Sequence, residues 1–569
     1  MVRYCLVALF LAASTLSAQP ALKYFKIQVV DDQTNRGVPL VELTTTADVS
    51  YFTDSNGTIA FHDPSLMGQQ VFFHVKSHGY QYPKDGFGYR GTKLNVTEGG
   101  SATLKIHRIN IAERLYRITG EGIYRDSVLL GEKVPIRNPL INGLVSGQDS
   151  VMAIPYRNKI YWFWGDTNRP SYPLGQFGTS GATSDLPGNG GLDPNLGVDL
   201  SYFTHKTGFS RPMIAIDEPG VKWLTGIMRV GDEDGKEKLV ARYDRRKGLA
   251  ERYEHGLLIY NDQKEVFEKA LAFKGDTPMF PDGVPLKVRV NDDEYYYFPM
   301  PYTTPLARVK ATLKNVLDPS SYEGFVNASW KAGAKPDRIR SQIDFESGQS
   351  IEASGTVNWN AYRKRWIMIA QRGMDQTYYF EGDTPVGPWV YGRRIVQYDH
   401  YTMYNVAHHP FFDQENGRLI YFEGTYTREF SDAPVATPRY NYNQLMYRLD
   451  LTDPRLILPV PVYQMKHRYL RRDQIDGEKL WDKIESIPFF AFDRERDGLI
   501  PVYGGDDGLQ LKAPTADARP LFFAVPLEDI FTSPNLIGFP AERPIMRVYR
   551  NPQKSLVLDT FARPPGVEN

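Results

Sequence analysis

The sequence predicts an all-β protein made of a small β-sandwich, a five-bladed β-propeller and a mainly-β C-terminal extension. Three observations lead to this fold class. Aromatic residues make up 13% of the chain, and 48 Gly and 40 Pro suit many short strands joined by tight turns. The length of 569 residues exceeds what one hydrophobic core serves. A hairpin pattern also recurs along the middle of the chain, which favours a radial repeat.

The first residues have the pattern of a secretory signal peptide. Arg3 supplies a positive charge, residues 4–16 are mostly apolar, and Leu16-Ser17-Ala18 offers a cleavage site, so residues 1–18 would be removed. The apolar run is too short to span a bilayer. The single cysteine, Cys5, lies inside this segment, so we expect no disulfide, thiolate metal site or cysteine nucleophile. These features predict a secreted or periplasmic protein without membrane insertion.

Residues 19–112 form the predicted β-sandwich. Short runs rich in Val, Ile, Phe and Tyr alternate with turn residues, and Asp54-Ser55-Asn56-Gly57 marks a tight turn between two of them. VVDDQTNRGVPLVEL followed by YFTDSNGTIAF resembles a carboxypeptidase regulatory-like, or transthyretin-like, domain. That resemblance implies an accessory module, so we expect no chemistry there.

Residues 120–455 form the predicted propeller. In five places a polar turn separates two runs that carry aromatic residues: MAIPYRNKIYWFWGD, KWLTGIMRVGDEDGKEKLVARYD, VPLKVRVNDDEYYYFPMPY, TVNWNAYRKRWIMIAQR and HHPFFDQENGRLIYFEGTY. Such repetition predicts five blades. A large sandwich or a solenoid with the same hairpins is the alternative. Residues 456–569 contain further strand-like runs, which either close the propeller or form an appended subdomain.

Two aspartates flank the first hairpin. If Arg157-Asn158 is the turn, Asp149 and Asp166 are equally distant from it and lie opposite each other on one face of the sheet. At about 5 Å and an effective dielectric constant near 20, their repulsion is roughly 3 kcal/mol, or about two pKa units. Such a pair suits catalysis, because one acid stays protonated while the other is ionised. The alternative is that each aspartate caps a strand or turn. A one-residue slip would place them on opposite faces.

Other side chains are candidates for the same site. Glu352 precedes the fourth hairpin and Glu423 ends the fifth, so in a propeller both would meet Asp149 and Asp166 at one opening of the central funnel. We therefore take Asp149, Asp166 and Glu352 as candidate catalytic residues. The candidates for substrate binding are Gln148, Trp164, Arg169, Tyr302, His408 and Glu423. For each of these residues, a structural role in the core or a turn is the alternative.

The composition excludes several classes of protein. The 67 basic and 67 acidic residues balance, which argues against binding nucleic acid or a membrane surface. The sequence contains no P-loop, no dinucleotide fingerprint and no G-x-S-x-G elbow. His408 and His409 lie outside any chelating motif, so we expect no metal and no cofactor. We expect a monomer that binds a polysaccharide or an oligosaccharide.

The segment SGQDS…IYWFWGDTNRP resembles the first blade of secreted propeller hydrolases that include bacterial endo-D-arabinanases, in which G-Q-D is followed by an aromatic strand ending in G-D-T. More loosely, residues 140–450 are similar to glycoside hydrolase families 43 and 32. The resemblance implies a glycosidase in which Asp149 and Asp166 are the paired acids. Asp149 would be nucleophile or base, and Asp166 proton donor or pKa modulator, with Glu352 as the rival donor.

Two other functions stay open at this point. A non-catalytic carbohydrate-binding propeller would use the aromatic residues without the paired acids. A polysaccharide lyase would need a base and a cation, for which His408, Tyr404 and Arg169 are available.

Overall fold

The computed structural model describes residues 23–176, 178–273, 279–299, 306–327, 329–336, 342–475, 484–505, 508–526, 545–550 and 556–559. The predicted signal peptide lies outside these residues and stays a prediction. Strands dominate the described part of the chain, which confirms the all-β class. No helix within it is long and apolar enough to cross a membrane.

Eight strands form two facing sheets near the N-terminus. They are β1 (Phe25–Asp31), β2 (Glu42–Thr45), β3 (Ser50–Phe52), β4 (Thr58–Phe61), β5 (Gln70–Lys76), β6 (Tyr80–Gln81), β7 (Gly91–Asn95) and β8 (Ser101–Arg108). The sheet orders are β4-β1-β8-β6 and β3-β2-β5-β7. Alternate residues such as Ile27 on β1 and Phe73 on β5 point into one shared hydrophobic core. The residues predicted to form a sandwich therefore do build two packed sheets.

In the middle of the chain, the described residues form twenty-seven strands and two short α-helices. The first part holds β9 (Glu113–Arg117), α1 (Arg125–Leu129), β10 (Gly147–Gln148), β11 (Met152–Tyr156), β12 (Lys159–Trp164), β13 (Thr167–Arg169), β14 (Tyr172–Gln176), β15 (Ser180–Asp185) and β16 (Ser201–Tyr202). Next come β17 (Ile214–Ala215), β18 (Val221–Gly231), β19 (Glu237–Lys247), β20 (Glu251–Asn261) and β21 (Val266–Phe273). These are followed by β22 (Leu286–Val290), β23 (Asp293–Phe298), β24 (Ala307–Lys310), α2 (Leu313–Leu317), β25 (Glu323–Val326) and β26 (Ser329–Ala332). The last are β27 (Gln342–Asp344), β28 (Ser350–Ile351), β29 (Ser354–Asn360), β30 (Arg365–Arg372), β31 (Gln376–Gly382), β32 (Tyr391–Gln397), β33 (Thr402–His408), β34 (Leu419–Thr427) and β35 (Asn443–Asp450).

Five successive sheets arise from these strands. Their orders are β11-β12-β15-β16, β17-β21-β20-β19-β18, β22-β23-β24-β25-β26, β28-β27-β32-β31-β30-β29 and β33-β34-β35-β9. We call them the first to the fifth sheet. A small sheet, β10-β13-β14, extends the first one. Short 3-10 turns lie at Pro187–Asn189, Pro319–Ser321, Pro410–Phe412, Glu415–Gly417, Pro454–Leu456 and Arg472–Gln474.

Each of the five sheets shares a hydrophobic cluster with the next. Each of the four clusters can be represented by one residue from each of its two sheets. In order, these pairs are Phe163 and Leu258, Val240 and Phe298, Tyr297 and Met368, and Ile369 and Phe422. A further cluster joins Tyr421 of the fifth sheet to Trp162 of the first. The fifth sheet therefore packs against the first sheet as well as the fourth.

Strand β9 completes the fifth sheet although it precedes the first sheet in the chain. It pairs antiparallel with β35, with Tyr116 opposite Met446. All five of its residues are buried. Glu113 also forms an ion pair with Arg448 of β35. This strand falls just before the region that the sequence assigns to the propeller.

The fifth hairpin differs from the sequence prediction. Its first strand was expected to follow His408 and His409, but β33 instead ends at His408 and pairs with β34. Residues 409–418 form the connection. Pro410 opens a 3-10 turn there, because its fixed φ and missing N–H suit a turn better than a central strand.

The C-terminal segment adds two more sheets. It contains β36 (Val460–Met465), β37 (Arg468–Leu470), β38 (Ser486–Ala491), β39 (Ile500–Gly505), β40 (Gly508–Gln510), β41 (Phe522–Pro526), β42 (Arg547–Arg550) and β43 (Leu556–Asp559). The orders are β37-β36-β38 and β40-β39-β41-β42-β43. A buried ion network joins this segment to the fourth sheet, where Arg363 contacts both Glu381 and Asp493. The extension therefore packs against the fourth sheet.

The contact of β9 with its neighbours can be tested by truncating one buried side chain. Leu115 on β9 is fully buried in the cluster between the fifth and first sheets. We expect Leu115→Ala to lower the free energy of unfolding by about 2–5 kcal/mol, measured by urea denaturation. Leu249→Ala, at a side chain that is 71% exposed, should change it by less than about 0.5 kcal/mol. Equal effects of the two substitutions would contradict this role of β9.

Candidate active site

The hairpin β11–β12 sets the geometry of the site. Its turn residues Arg157 and Asn158 both have positive φ, of 49° and 62°, as a two-residue type I′ turn requires. The ladder runs from Tyr156↔Lys159 to Met152↔Phe163 and continues in the same register between β10 and β13. The predicted register is therefore confirmed. Asp149 and Asp166 lie opposite each other, between the two ladder segments.

The Asp149 carboxylate accepts hydrogen bonds from four groups. The Tyr404 hydroxyl donates to Oδ2 at 2.7 Å, and the backbone N–H of Asp166 donates to Oδ1 at 2.9 Å. The side chains of Tyr442 and Ser150 are the other donors. Burial raises the pKa of Asp149 above its usual value, and the four donors offset part of that increase, because they stabilise the ionised form.

Asp166 has a different environment. Its side chain is only 8% exposed, and Oδ1 accepts a hydrogen bond from Trp223 Nε1 at 2.8 Å. Burial raises the pKa of Asp166 to about 7, Trp223 lowers it, and the negative charge of Asp149 adds a smaller increase. Burial is the largest cause of this shift, and the repulsion expected from the sequence is a smaller one. The two carboxyl groups therefore have different hydrogen-bond donors, four for Asp149 and chiefly Trp223 for Asp166.

Gly165 has no side chain, and the Asp149 carboxylate lies where its Cβ atom would be crowded. A Cβ atom at this position would lie 2.2 Å from Asp149 Oδ1. The N–H of Gly165 donates to the backbone oxygen of Asp149 at 2.8 Å. The glycine of the G-D-T segment is therefore required by the close approach of the carboxylate to the opposite strand.

Three non-glycine residues around Asp149 have left-handed backbone conformations. These are Ser150, Asn405 and Tyr442, with φ of 56°, 52° and 64°. The Asn405 side chain donates to Ser150 Oγ at 2.6 Å, and its backbone N–H donates to Gln371 at 2.7 Å. Such conformations are uncommon and cluster at functional sites. The hydrogen bonds also join the first, fifth and fourth sheets at this end.

Glu352 lies at the same end of the sheets. It is exposed, in the connection between β28 and β29. Ser354, two residues later, pairs with Gln371, which in turn bonds to Asn405 beside Asp149. These contacts link the segment that follows Glu352 to Asn405, and the role of Glu352 itself stays a prediction.

Several predicted binding residues lie in the protein interior. Gln148 is fully buried, and its amide bonds to Thr167, Ser180 and Tyr202. Trp164 is fully buried and stacks on Trp162. A direct contact with substrate is therefore not open to either side chain, because neighbouring strands cover both. Gln148 instead fixes the strands that carry the aspartates.

His408 and Glu423 are also buried. His408 contacts Asp413 at 2.9 Å and Asn358 at 3.1 Å. Glu423 is bonded to His409 Nε2 at 2.6 Å, on the face of β34 that packs against the first sheet. The predicted position of Glu423 at the opening is thus corrected. It pairs with Ala407 in the middle of the sheet, because β33 begins earlier than expected.

Arg169 and Tyr302 are the remaining residues that the sequence predicts to bind substrate. Arg169 is half-buried on β13, with its guanidinium 5.3 Å from the Phe209 ring centre. Tyr302 lies outside the described residues.

Sequence reasoning missed Trp223 and Tyr442 as members of the site. Trp223 stands near the start of the second predicted hairpin, as Asp149 stands before the first, so equivalent positions in the repeats could have indicated it. Tyr442 precedes β35 in a polar loop, where no local pattern marks it.

Comparisons with known proteins found distant structural likenesses. No known family profile matches the chain, and no curated protein is significantly similar to it. An α-L-arabinanase from Penicillium chrysogenum, solved with arabinobiose, is 13% identical, with a TM-score of 0.31, over 60% of this chain and 99% of that one. An α-L-arabinofuranosidase from Fusarium graminearum, solved with an iminosugar inhibitor, is 11% identical, with a TM-score of 0.33, over 60% and 99%. A GH43 enzyme from Xanthomonas citri, solved with xylose, is 9% identical, with a TM-score of 0.31, over 53% and 87%. These likenesses are too distant to transfer a residue or a substrate.

The raised pKa of Asp166 predicts a pH-dependent effect on stability. The folded protein holds this proton up to about pH 7, whereas an unfolded aspartate loses it near 3.8. The contribution of Asp166 to the free energy of unfolding is therefore fully present below pH 3.8 and is lost as the pH rises to about 7. We compare the change in the free energy of unfolding that Asp166→Asn causes at two pH values. This change should be more stabilising at pH 8 than at pH 4 by on the order of 3 kcal/mol. Urea denaturation at both pH values, with the exposed Asp517→Asn as control, measures this, and a pH-independent effect would contradict it.

Proposed function

We propose that the protein is a secreted glycoside hydrolase that acts on a polysaccharide or an oligosaccharide. The observation that carries this proposal is the opposed pair of carboxyl groups. Four hydrogen bonds lower the pKa of Asp149 against the effect of burial, while burial raises the pKa of Asp166 to about 7. Hydrolysis of a glycosidic bond needs this combination of an anion and a proton donor.

The proposed architecture is a five-bladed propeller whose central funnel contains the two aspartates. Five successive, mainly antiparallel sheets, the clusters that link each to the next, and the cluster between the fifth and first all support it. The pairing of β9 with β35 supports closure, because a strand from the start of the ring completes its last sheet. The N-terminal sandwich would serve as an accessory module on a monomeric chain.

In the proposed reaction, Asp166 protonates the glycosidic oxygen as the leaving group departs. In one route Asp149 attacks the anomeric carbon as the leaving group departs, and the ionised Asp166 then activates a water molecule that hydrolyses the glycosyl-enzyme bond and restores both carboxyl groups. In the other route Asp149 accepts a proton from a water molecule that attacks the anomeric carbon directly. Attack by the carboxylate gives retention and requires about 5 Å between the acids, while attack by water requires about 6.5–9.5 Å. In either case Tyr404 and Tyr442 hold Asp149 in place, and their hydrogen bonds lower its pKa against the effect of burial.

The contacts of the other candidate bases oppose a lyase. Burial and the charge of Asp149 raise the pKa of Tyr404, which donates its proton to that carboxylate and is a poor base. His408 is buried and bonded to Asp413. A protein that only binds carbohydrate has no need of two acids with such different environments.

The proposed roles can be tested by screening purified protein that lacks residues 1–18 on plant, algal and bacterial polysaccharides. We expect release of reducing ends by the wild type and a loss of at least about 100-fold in Asp149→Asn and Asp166→Asn. Glu352→Gln should retain activity if Asp166 is the donor, and lose it if Glu352 is. Asp517→Asn is the matched control.

Three results would contradict the proposal. Products with a new double bond, absorbing in the ultraviolet, would identify a lyase. Retention on a glycan array that survives both aspartate substitutions, without hydrolysis, would identify a binding protein. Activity that persists in Asp149→Asn would remove the pair from the reaction.

A second prediction concerns the pH profile. A proton donor must be protonated, so activity should fall as the pH rises through about 7, the pKa of Asp166. Trp223→Phe removes the donor that stabilises ionised Asp166, so the alkaline limb should move to higher pH by about one unit. Trp359→Phe, at an exposed indole distant from Asp166 in the β29–β30 hairpin, should leave the limb in place. A shift to lower pH, or none, in Trp223→Phe would assign the donor role elsewhere.

A further inference from the structure

Phe430 is an unusual residue at the rim of the candidate site. Its side chain is 67% exposed, although burial of an aromatic ring is strongly favourable. Its backbone has φ of 61°, a left-handed conformation that bulky side chains rarely adopt. Two unfavourable features at one residue need a reason.

The position of Phe430 relative to the aspartates suggests one. Its ring centre is 5.9 Å from that of Tyr404, and the two planes meet at 79°. The Tyr404 hydroxyl in turn donates to Asp149. One tyrosine side chain therefore separates the exposed ring from the carboxylate that would act on the anomeric carbon.

The segment around Phe430 is held by its neighbours on both sides. Thr402 Oγ1 donates to the backbone oxygens of Thr427 and Glu429 at 2.7 and 2.9 Å. Ser431 Oγ donates to the backbone oxygen of Arg428 at 2.6 Å. These bonds fix the turn that points the Phe430 ring into solvent. The ring is thus presented in a defined position.

We infer that Phe430 is a stacking platform for a sugar ring of the substrate, next to the bond that is cleaved. This inference rests on the proposed glycosidase function. The C–H groups on one face of a sugar ring are apolar and weakly positive, and they pack against the negative face of an aromatic ring. Contact with the sugar would bury the exposed ring beside Tyr404 and Asp149.

Steady-state kinetics on the best polysaccharide from the screen test the platform. We expect Phe430→Ala to raise KM by roughly 3- to 10-fold, with kcat and the pH profile unchanged, and Phe430→Trp to restore KM. Phe87→Ala is the matched control, because that phenylalanine is 90% exposed but lies in the N-terminal sandwich. An unchanged KM in Phe430→Ala would overturn the inference. A shifted pH profile would also overturn it, since Phe430 would then act by positioning Tyr404.

Calorimetric titration separates failure of the platform from failure of the hydrolase proposal. The probes are neutral tetrasaccharides of arabinose, xylose, galactose and glucose. Binding by the wild type that weakens in Phe430→Ala but not in Phe87→Ala supports the platform even if no sugar is hydrolysed. No binding of any of the four probes by the wild type, or equal binding by Phe430→Ala, overturns it.

Discussion

The antiparallel register of the β11–β12 hairpin is the constraint on which the site depends. The two left-handed turn residues Arg157 and Asn158 fix this register, and the ladder carries it to the opposed pair, Asp149 and Asp166. A slip of one residue would reverse the face of every side chain on one strand. Asp149 would then lose the Tyr404 hydroxyl and the space above Gly165. The electrostatic difference between the two acids is thus a consequence of a two-residue turn.

Neighbouring sheets convert this local pair into two distinct acids. Tyr404 and Tyr442, from the fifth sheet and the loop before β35, supply donors to Asp149, whereas the second sheet supplies Trp223 to Asp166. Exclusion of water raises the pKa of both groups, and the hydrogen bonds then stabilise their ionised forms to different extents. For Asp166, direct repulsion by Asp149 changes the pKa less than burial or the Trp223 hydrogen bond does.

The sequence predicts local features well and distant ones poorly. The all-β class and the hairpin register follow from turn residues and alternation, which act over a few positions. The pairing of β9 with β35 has no local signal, since Glu113 and its partner Arg448 are 335 positions apart. Gln148 and Trp164 were expected at a surface but are covered by other strands. The predicted position of Glu423 was wrong, because the first strand of the fifth hairpin ends at His408, before Pro410, and Glu423 pairs with Ala407 on that strand. The contacts of Trp223 and Tyr442 likewise depend on how sheets meet.

The position of β9 in the chain bears on the order of folding. The strand is made early, yet its partner β35 follows after most of the protein has been synthesised. Until then, β9 lacks the strand that pairs with it, and Tyr442, just before β35, is not yet present to bond to Asp149. Contacts of such long range slow folding, because the intervening loop must be closed first. The fifth sheet is therefore completed late, and a chain that ends before β35 lacks both the partner of β9 and the Tyr442 contact with Asp149.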